Sequence, residues 1–463
     1  MNDPAAAPSP PSDIEQQFEL GRRAQLAGRL DEAITRYRAV LKRAPEHGGA
    51  LNNLGVALKV LNRFAPAVAC YHRALAAKPD DVGLLTNLGN ALRGLGRFEE
   101  AEAALERALA LSPDSVDALN NLSLTRKGAR RFHEAIEGLT EVIRRRPDDA
   151  EAHLDLALAL LQIGELERGF REYEWRWRTK ELPSRGFTQP VWDGTPLDGK
   201  TILLHAEQGF GDALQFVRYV PLVAARGGRV VLECLGGLEK LMQSVEGLTM
   251  IVTKGAALPP FDVQAPLLSL PHLFGTTLAT IPAPARYVSA PSDFVQRFRT
   301  RLRAPPGMLK IGVVWAGKPS HKNDHNRSAG FAHFVDLLGY GGARWYSLQV
   351  GPRAADISAF DCQGLIDDLA PELDDFATTA AAIENLDLVI TVDTSVAHLA
   401  GALGKPIWLM LAFGGEWRYP EGREDSPWYP SMRLFQQARF GDWDGVFRRV
   451  RQALETRRGT GST

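Results

Sequence analysis

Four prolines, Pro45, Pro79, Pro113 and Pro147, fall 34 residues apart, and three other ladders keep the same step. Ala33, Ala67, Ala101 and Ala135 form one, and Gly21, Gly55 and Gly89 another. In the third, Tyr37 and Tyr71 give way to Leu105 and Leu139. A fixed period of this length marks a unit that cannot bury its apolar face alone, so successive units must stack. The small residues let paired helices approach closely, and the large residue fills the gap between them. Proline ends the second helix, because it lacks an N–H and clashes in a helix interior. Four units cover 14–149, and 150–183 reads as a degenerate fifth with Gly164, Gly169 and Tyr173.

These positions resemble those of tetratricopeptide repeats. A further ladder, Asn53, Asn87 and Asn121, keeps the 34-residue step on the first helix of each unit. An Asn amide offers donors and an acceptor, and so pairs with both polar groups of a peptide unit. Here the segment is similar to the repeat region of protein O-GlcNAc transferases, and the resemblance implies a groove that grips polypeptide. Asn as an ordinary occupant of such repeats is the competing reading. The stretch ERGFREYEWRWRTK, 167–180, reads as a seam against the next domain in preference to an aromatic nucleic-acid platform.

Acidic and basic residues nearly cancel, with 55 against 54, so no global field attracts nucleic acid or anionic lipid. Cys70, Cys234 and Cys362 are too scattered for a disulfide framework or a zinc cluster. Residues 1–13 read as a disordered leader without signal-peptide character, and nowhere do 18 apolar residues run together. A cytoplasmic protein is expected.

After a linker at 184–199, short apolar runs alternate with helical stretches, the pattern of parallel sheets with crossover helices. One lobe is expected over 200–305 and a second over 306–440, with a C-terminal helix and tail at 441–463 and a hinge near 291–309. Two such lobes in tandem place a cleft at the carboxyl ends of both sheets.

The first lobe opens with HAEQGFGDALQFVRY. Its G-x-G turn only partly meets the dinucleotide fingerprint, since Leu214 stands where the third glycine belongs, although Glu233 closes the second strand. Asp212, beside Gly211, either caps the helix or accepts a proton from an attacking hydroxyl. In the second lobe, WAGKPSHKNDHNRSAGF carries Gly317, Lys318, His321, Lys322, Asp324 and Arg327 between a strand and a helix. Such a loop suits a diphosphate, with backbone N–H groups and a guanidinium sharing the negative charge. Further on, Asp393, Thr394 and Ser395 end a buried strand, and Thr394 and His398 share a helical face. Asp393 suits sugar hydroxyls, and the free N–H groups of 395–397 suit phosphate. No G-x-S-x-G surrounds Ser395, which argues against a hydrolase. Asp442-Trp443-Asp444 spells a metal-binding pair but starts the last helix, where acidic residues cap. The segment 413–435, rich in Trp and Arg, either stacks a base or sugar or packs on the repeats.

Residues 200–455 resemble the heptosyltransferase-like family 9 of GT-B glycosyltransferases. The motifs are Gly211-Asp212 and the D-T-x-x-x-H-L-A segment Asp393, Thr394, His398, Leu399 and Ala400. The resemblance implies an α-solenoid followed by a two-lobed, double Rossmann-like α/β domain. It also implies Asp212 as general base and Arg327, with Lys318, at the donor diphosphate. The expected activity is metal-independent sugar transfer from a nucleotide-diphosphate sugar, without a resident cofactor. The repeats would bind a protein acceptor or partner. Gln215 replaces a His of the family, and Arg327-Ser328 replaces its Lys/Arg-Trp pair, so donor identity does not carry over. An inactive scaffold and an O-GlcNAc-transferase-like protein glycosylation enzyme are the alternatives.

Overall fold

The computed structural model describes residues 13–180, 182, 185–207, 209–319, 323–414 and 416–460. The expected leader therefore lies, apart from Asp13, outside the described residues. The chain divides into two compact units, one up to Ala159 and one from Leu160 onward.

The first unit is a stack of antiparallel helix pairs: α1 (Asp13–Leu26) with α2 (Leu30–Arg43), and α3 (Gly48–Val60) with α4 (Phe64–Ala77). Next come α5 (Val82–Gly94) with α6 (Phe98–Leu111), and α7 (Val116–Gly128) with α8 (Phe132–Arg145). The period has a direct physical basis. A side chain in place of the glycine at Gly21 or Gly55 would come within 2.7 Å of the buried Tyr37 or Tyr71 ring. At Gly89 it would come within 2.5 Å of Leu105. In the fourth pair Ser123 takes the glycine position, and Gly138 of the second helix makes room for it. His47, Asp81 and Ser115, also 34 residues apart, each accept a backbone N–H as helix N-caps. First helices of successive units pack on one another more extensively than second helices do, so they line the inner side of the curve.

In the second unit, α10 (Leu166–Tyr173) and a 3₁₀ turn, Glu174–Arg178, lead into the sheets, so the end of the degenerate fifth repeat belongs with the α/β region. The preceding α9 (Ala150–Gln162) runs across the division. The first sheet holds β1 (Thr201–His205), β2 (Arg229–Cys234), β3 (Leu248–Thr253) and β4 (Val263–Pro266), all parallel, in the order β3-β2-β1-β4. The second holds β5 (Leu309–Val314), β6 (Ala343–Ser347), β7 (Ile366–Asp368), β8 (Leu388–Val392), β9 (Ile407–Leu411) and β10 (Met432–Gln436). They too are parallel, in the order β10-β9-β8-β5-β6-β7. Every residue of β8 and β9 is buried, as expected of central strands covered on both faces.

Both orders reverse beside the first strand of their lobe, between β1 and β4 and between β5 and β8. At such a reversal the outgoing loops diverge and leave a crevice at the carboxyl ends. Strands β7 and β10 and the helix Ser292–Arg301, inside the expected hinge, are absent from the expectation. The three cysteines are free and buried. Among the described residues, no helix is long and apolar enough to cross a membrane.

Candidate functional site

At the β5/β8 reversal, the chain leaves β5 through Trp315 and Ala316, whose N–H groups both donate to Gln349 Oε1, at 3.2 and 2.9 Å. The Gly317 N–H donates to Ser328 Oγ at 3.0 Å, and the Ser328 hydroxyl donates to Asp324 Oδ1 at 2.8 Å. These bonds fold the loop back on itself, so that Arg327 lies over Gly317. A side chain at Gly317 would come within 2.5 Å of Arg327 Nη2. Arg327 Nη1 is 3.7 Å from Asp393 Oδ2, and Nε is 3.8 Å from Asp324 Oδ1. Both distances exceed a hydrogen bond, and the buried Nε has no hydrogen-bond partner among the described residues. A guanidinium with an unanswered donor therefore stands at the crevice. Lys318 is exposed on the same loop. His321 and Lys322 lie outside the described residues.

Across the crevice, Asp393 follows β8 and Thr394 is the N-cap of the helix Ser395–Ala402. The Thr394 hydroxyl is 3.2 Å from that of Thr391 and caps no backbone N–H, while the Thr394 carbonyl accepts the Ala397 N–H at 3.0 Å. Asp393, Thr394, Ser395 and Arg327 thus come together.

His398 does not join them on an open face. It is 5% exposed, its Nδ1 is 2.9 Å from the Tyr429 hydroxyl, and its ring lies under Gly211 of α11 (Phe210–Phe216). A side chain at Gly211 would sit 2.7 Å from His398 Cδ2, so glycine there lets helices of the two lobes cross in contact. Burial, with Arg418, Arg218 and Arg327 nearby, holds the imidazole well below its ordinary value, hence neutral. Its place is in the lobe junction, where it fixes the spacing of the two helices.

Asp212 takes up the capping role that the sequence leaves open to it, and pairs with an arginine besides. Its Oδ2 accepts the Gly209 N–H at 3.0 Å, as a helix cap, while Oδ1 pairs with Arg418. Arg418 stacks 4.2 Å over Trp417, donates to Gln215 Oε1 and pairs with Glu416. Burial pushes the Glu416 carboxyl up to about 7, with Arg418 opposing and Asp393 and Asp212 reinforcing. The segment 413–435 thus lies at the lobe junction. Trp417 and Trp428 pack on Phe170 of α10 and Phe216 of α11, and Gln162 donates to the Tyr419 carbonyl at 2.9 Å.

The β1/β4 reversal of the first lobe is filled by the chain itself. Arg176, 1% exposed, makes two hydrogen bonds of 2.8 and 3.0 Å to Glu207, and others of 2.7 Å to Glu174 and 2.8 Å to Ser269. Glu233, which the partial dinucleotide fingerprint would place on a ribose, is held by Arg185 through bonds of 2.7 and 2.8 Å. Asp442 caps the last helix through the Gly445 N–H at 2.8 Å, away from either crevice. Among the described residues no three His, Cys, Asp or Glu side chains form a metal-holding group.

In the first unit, Asn53, Asn87 and Asn121 sit half-buried on α3, α5 and α7. Their amides are engaged: Asn53 accepts from Asn52 at 3.3 Å, Asn87 donates to Asn52 at 3.0 Å, and Asn121 donates to the Asp117 carbonyl at 2.8 Å. The sequence reading passed over a second ladder on the same helices, Lys59, Arg93 and Lys127, although it keeps the same 34-residue step. Lys127 pairs with Asp155, and burial lowers both Lys59, beside Arg93, and Arg93 itself. The sequence reading also passed over Glu416, and it placed Arg176 in a seam without naming Glu207, its partner 31 residues on.

Comparison with known proteins bears on the repeats and on part of the second lobe. One tetratricopeptide repeat model matches residues 18–82 and 121–174, and a second matches 82–115. The glycosyltransferase family 9 (heptosyltransferase) model matches 353–408, which contains Asp393, Thr394 and His398 but neither Arg327 nor Asp212. Protein FlbA of Caulobacter vibrioides is 27% identical over 327 residues, 64% of this chain and 54% of that protein. The chain thus spans about half the length of the curated relative it matches. Among solved structures, the tetratricopeptide protein TTC0263 of Thermus thermophilus is 22% identical, covering 36% of this chain and 92% of its own, with a TM-score of 0.33. MamA of Desulfovibrio magneticus is 18% identical, covering 36% and 98%, also with a TM-score of 0.33. The chain is a tetratricopeptide-repeat protein fused to a two-lobed α/β region similar to family 9 glycosyltransferases.

Proposed function

We propose that this protein is a glycosyltransferase that takes its sugar from a nucleotide-diphosphate donor and needs no metal, and that its repeats bind a protein acceptor or partner. The observation that carries the reading is Arg327, held at the β5/β8 reversal with a buried, unpartnered Nε and a glycine beneath it. A diphosphate answers that donor, and the N-terminus of the helix Ser395–Ala402 adds to the cradle. Asp393 accepts from sugar hydroxyls. As the anomeric bond breaks, negative charge grows on the departing diphosphate, where Arg327 and the helix N-terminus already point, so the barrier falls without reorganisation. Lys318, on the same loop, adds a mobile positive charge. A carboxylate of the Asp212–Arg418–Glu416 cluster takes the proton of the acceptor hydroxyl.

Two features support a polypeptide acceptor. Arg176 bridges the first lobe's own crevice through Glu207 and Ser269, which sets that crevice apart from an ordinary small-ligand site. The first helices of the repeats carry the ladders Asn53, Asn87, Asn121 and Lys59, Arg93, Lys127, whose amides would have to exchange their present bonds for those of a polypeptide. The absence of a membrane-crossing helix among the described residues fits a cytoplasmic enzyme.

A thermal-shift panel of ADP, UDP, GDP and dTDP with their sugars tests the reading. At least one should stabilise the protein, and Arg327→Ala should abolish the shift. No stabilisation by any of them would favour an inert scaffold.

A further inference from the structure

We propose that Glu416, and not Asp212, is the base that deprotonates the acceptor, with Asp212 acting as a positioning residue that holds Arg418. This rests on the transferase reading above. The geometry separates the two carboxylates. Both oxygens of Asp212 are engaged, Oδ2 by the Gly209 N–H at 3.0 Å and Oδ1 by Arg418. Glu416 gives only Oε1 to Arg418, and its Oε2 has no partner among the described residues. Its side chain is 27% exposed, against 15% for Asp212, and it sits on the loop after β9, beside the end of β8 that carries Asp393. Glu416 is thus the more exposed carboxylate of the cluster and the one with an oxygen left without a partner among the described residues.

The charged and titratable groups facing it are Arg418, Asp393, Asp212 and Tyr419. Burial and the two aspartates raise its carboxyl to about 7 against the pull of Arg418, the range in which a general base works best at neutral pH. In the step itself, the acceptor O–H gives its proton to Glu416 Oε2 and the acceptor oxygen bonds to the anomeric carbon. The bond from that carbon to the diphosphate oxygen breaks, and its electron pair leaves with the diphosphate beside Arg327.

The test uses the full-length protein, a panel of ADP-, UDP-, GDP- and dTDP-sugars, and water as the acceptor, with release of nucleoside diphosphate as the readout. Glu416→Gln keeps an oxygen for Arg418. It should lower kcat about 10²-fold or more and erase the rise of the rate through neutral pH, with nucleoside-diphosphate binding within twofold. Glu416→Asp should recover part of the rate and the pH limb. Asp212→Asn should lower the rate less and leave the limb in place. The assignment fails if Glu416→Gln keeps its rate and pH limb, or if Asp212→Asn loses the limb. Wild-type protein that binds a donor but releases nothing also overturns it. A wild type that neither binds nor turns over any donor sinks the transferase reading first.

Discussion

Replacing Arg176 by Ala removes the cation from the best-buried ion pair of the α/β region. Glu207 is 0% exposed and Arg176 1%, so neither charge has water to fall back on. Two opposite charges about 4 Å apart attract by about 4 kcal/mol at the effective dielectric of such a site. Removing one partner of a buried pair generally costs about 3–5 kcal/mol, because the other charge is left uncompensated. In a unit of this size that loss corresponds to a fall of roughly 6–20 °C in the melting transition. Differential scanning calorimetry of the full chain measures it. The penalty should also depend on pH. Without Arg176, burial raises the folded-state Glu207 carboxyl above its unfolded value, so the neutral acid is tolerated and the carboxylate is not. The variant should approach wild type below about pH 4 and lose stability as pH rises toward 7. The double variant Arg176→Met with Glu207→Leu should recover most of the loss, since an apolar pair of similar volume substitutes well for a buried ion pair. A single variant that melts within 2 °C of wild type, or a double variant no better than the single, would refute the reasoning.

Other consequences follow from close contacts. Gly211→Ala should drive α11 off His398 and cost about 1–3 kcal/mol in denaturant unfolding, because the extra methyl has 2.7 Å to occupy. Gly317→Ala should push the Arg327 guanidinium aside and weaken nucleoside-diphosphate binding by about 10-fold or more at nearly unchanged melting temperature, as titration calorimetry would show. In the first unit, Gly55→Ala should destabilise the repeats by about 1–3 kcal/mol, because the Tyr71 ring is itself fully buried and cannot retreat. Hydrogen exchange should place that loss in α3 and α4.

The repeats were legible in the sequence because each position recurs every 34 residues, and a recurring position has one packing environment. The central strands were legible for a related reason: β8 and β9 are buried throughout and β5 from Ile311 on, so all three read as largely apolar runs. Strand β7 is three residues ending in Ile366-Asp367-Asp368, too short and polar to stand out. Strand β10 overlaps the stretch 413–435, whose Trp and Arg content pointed to stacking or packing on the repeats and hid the strand. The stretch Gly211–Gly227, which reads as one helix in the sequence, breaks at Val217 and restarts before Pro221, where proline removes an N–H. Asp393, Thr394 and Arg327 were readable because strand ends and helix starts place them locally. Glu416 and Arg176 were not, since their roles come from partners on other elements, Asp212 and Asp393 for one and Glu207 and Ser269 for the other. His398 shows the converse error. Helical spacing put it beside Thr394, but the crossing of α11 over the following helix covers it.

The most direct measurement is titration calorimetry of nucleoside diphosphates and their sugars into wild-type protein and Arg327→Ala. Saturable binding of at least one nucleotide, weakened 10-fold or more in the variant, is the expected result. Binding that Arg327→Ala leaves intact would place the diphosphate elsewhere and contradict the site described above.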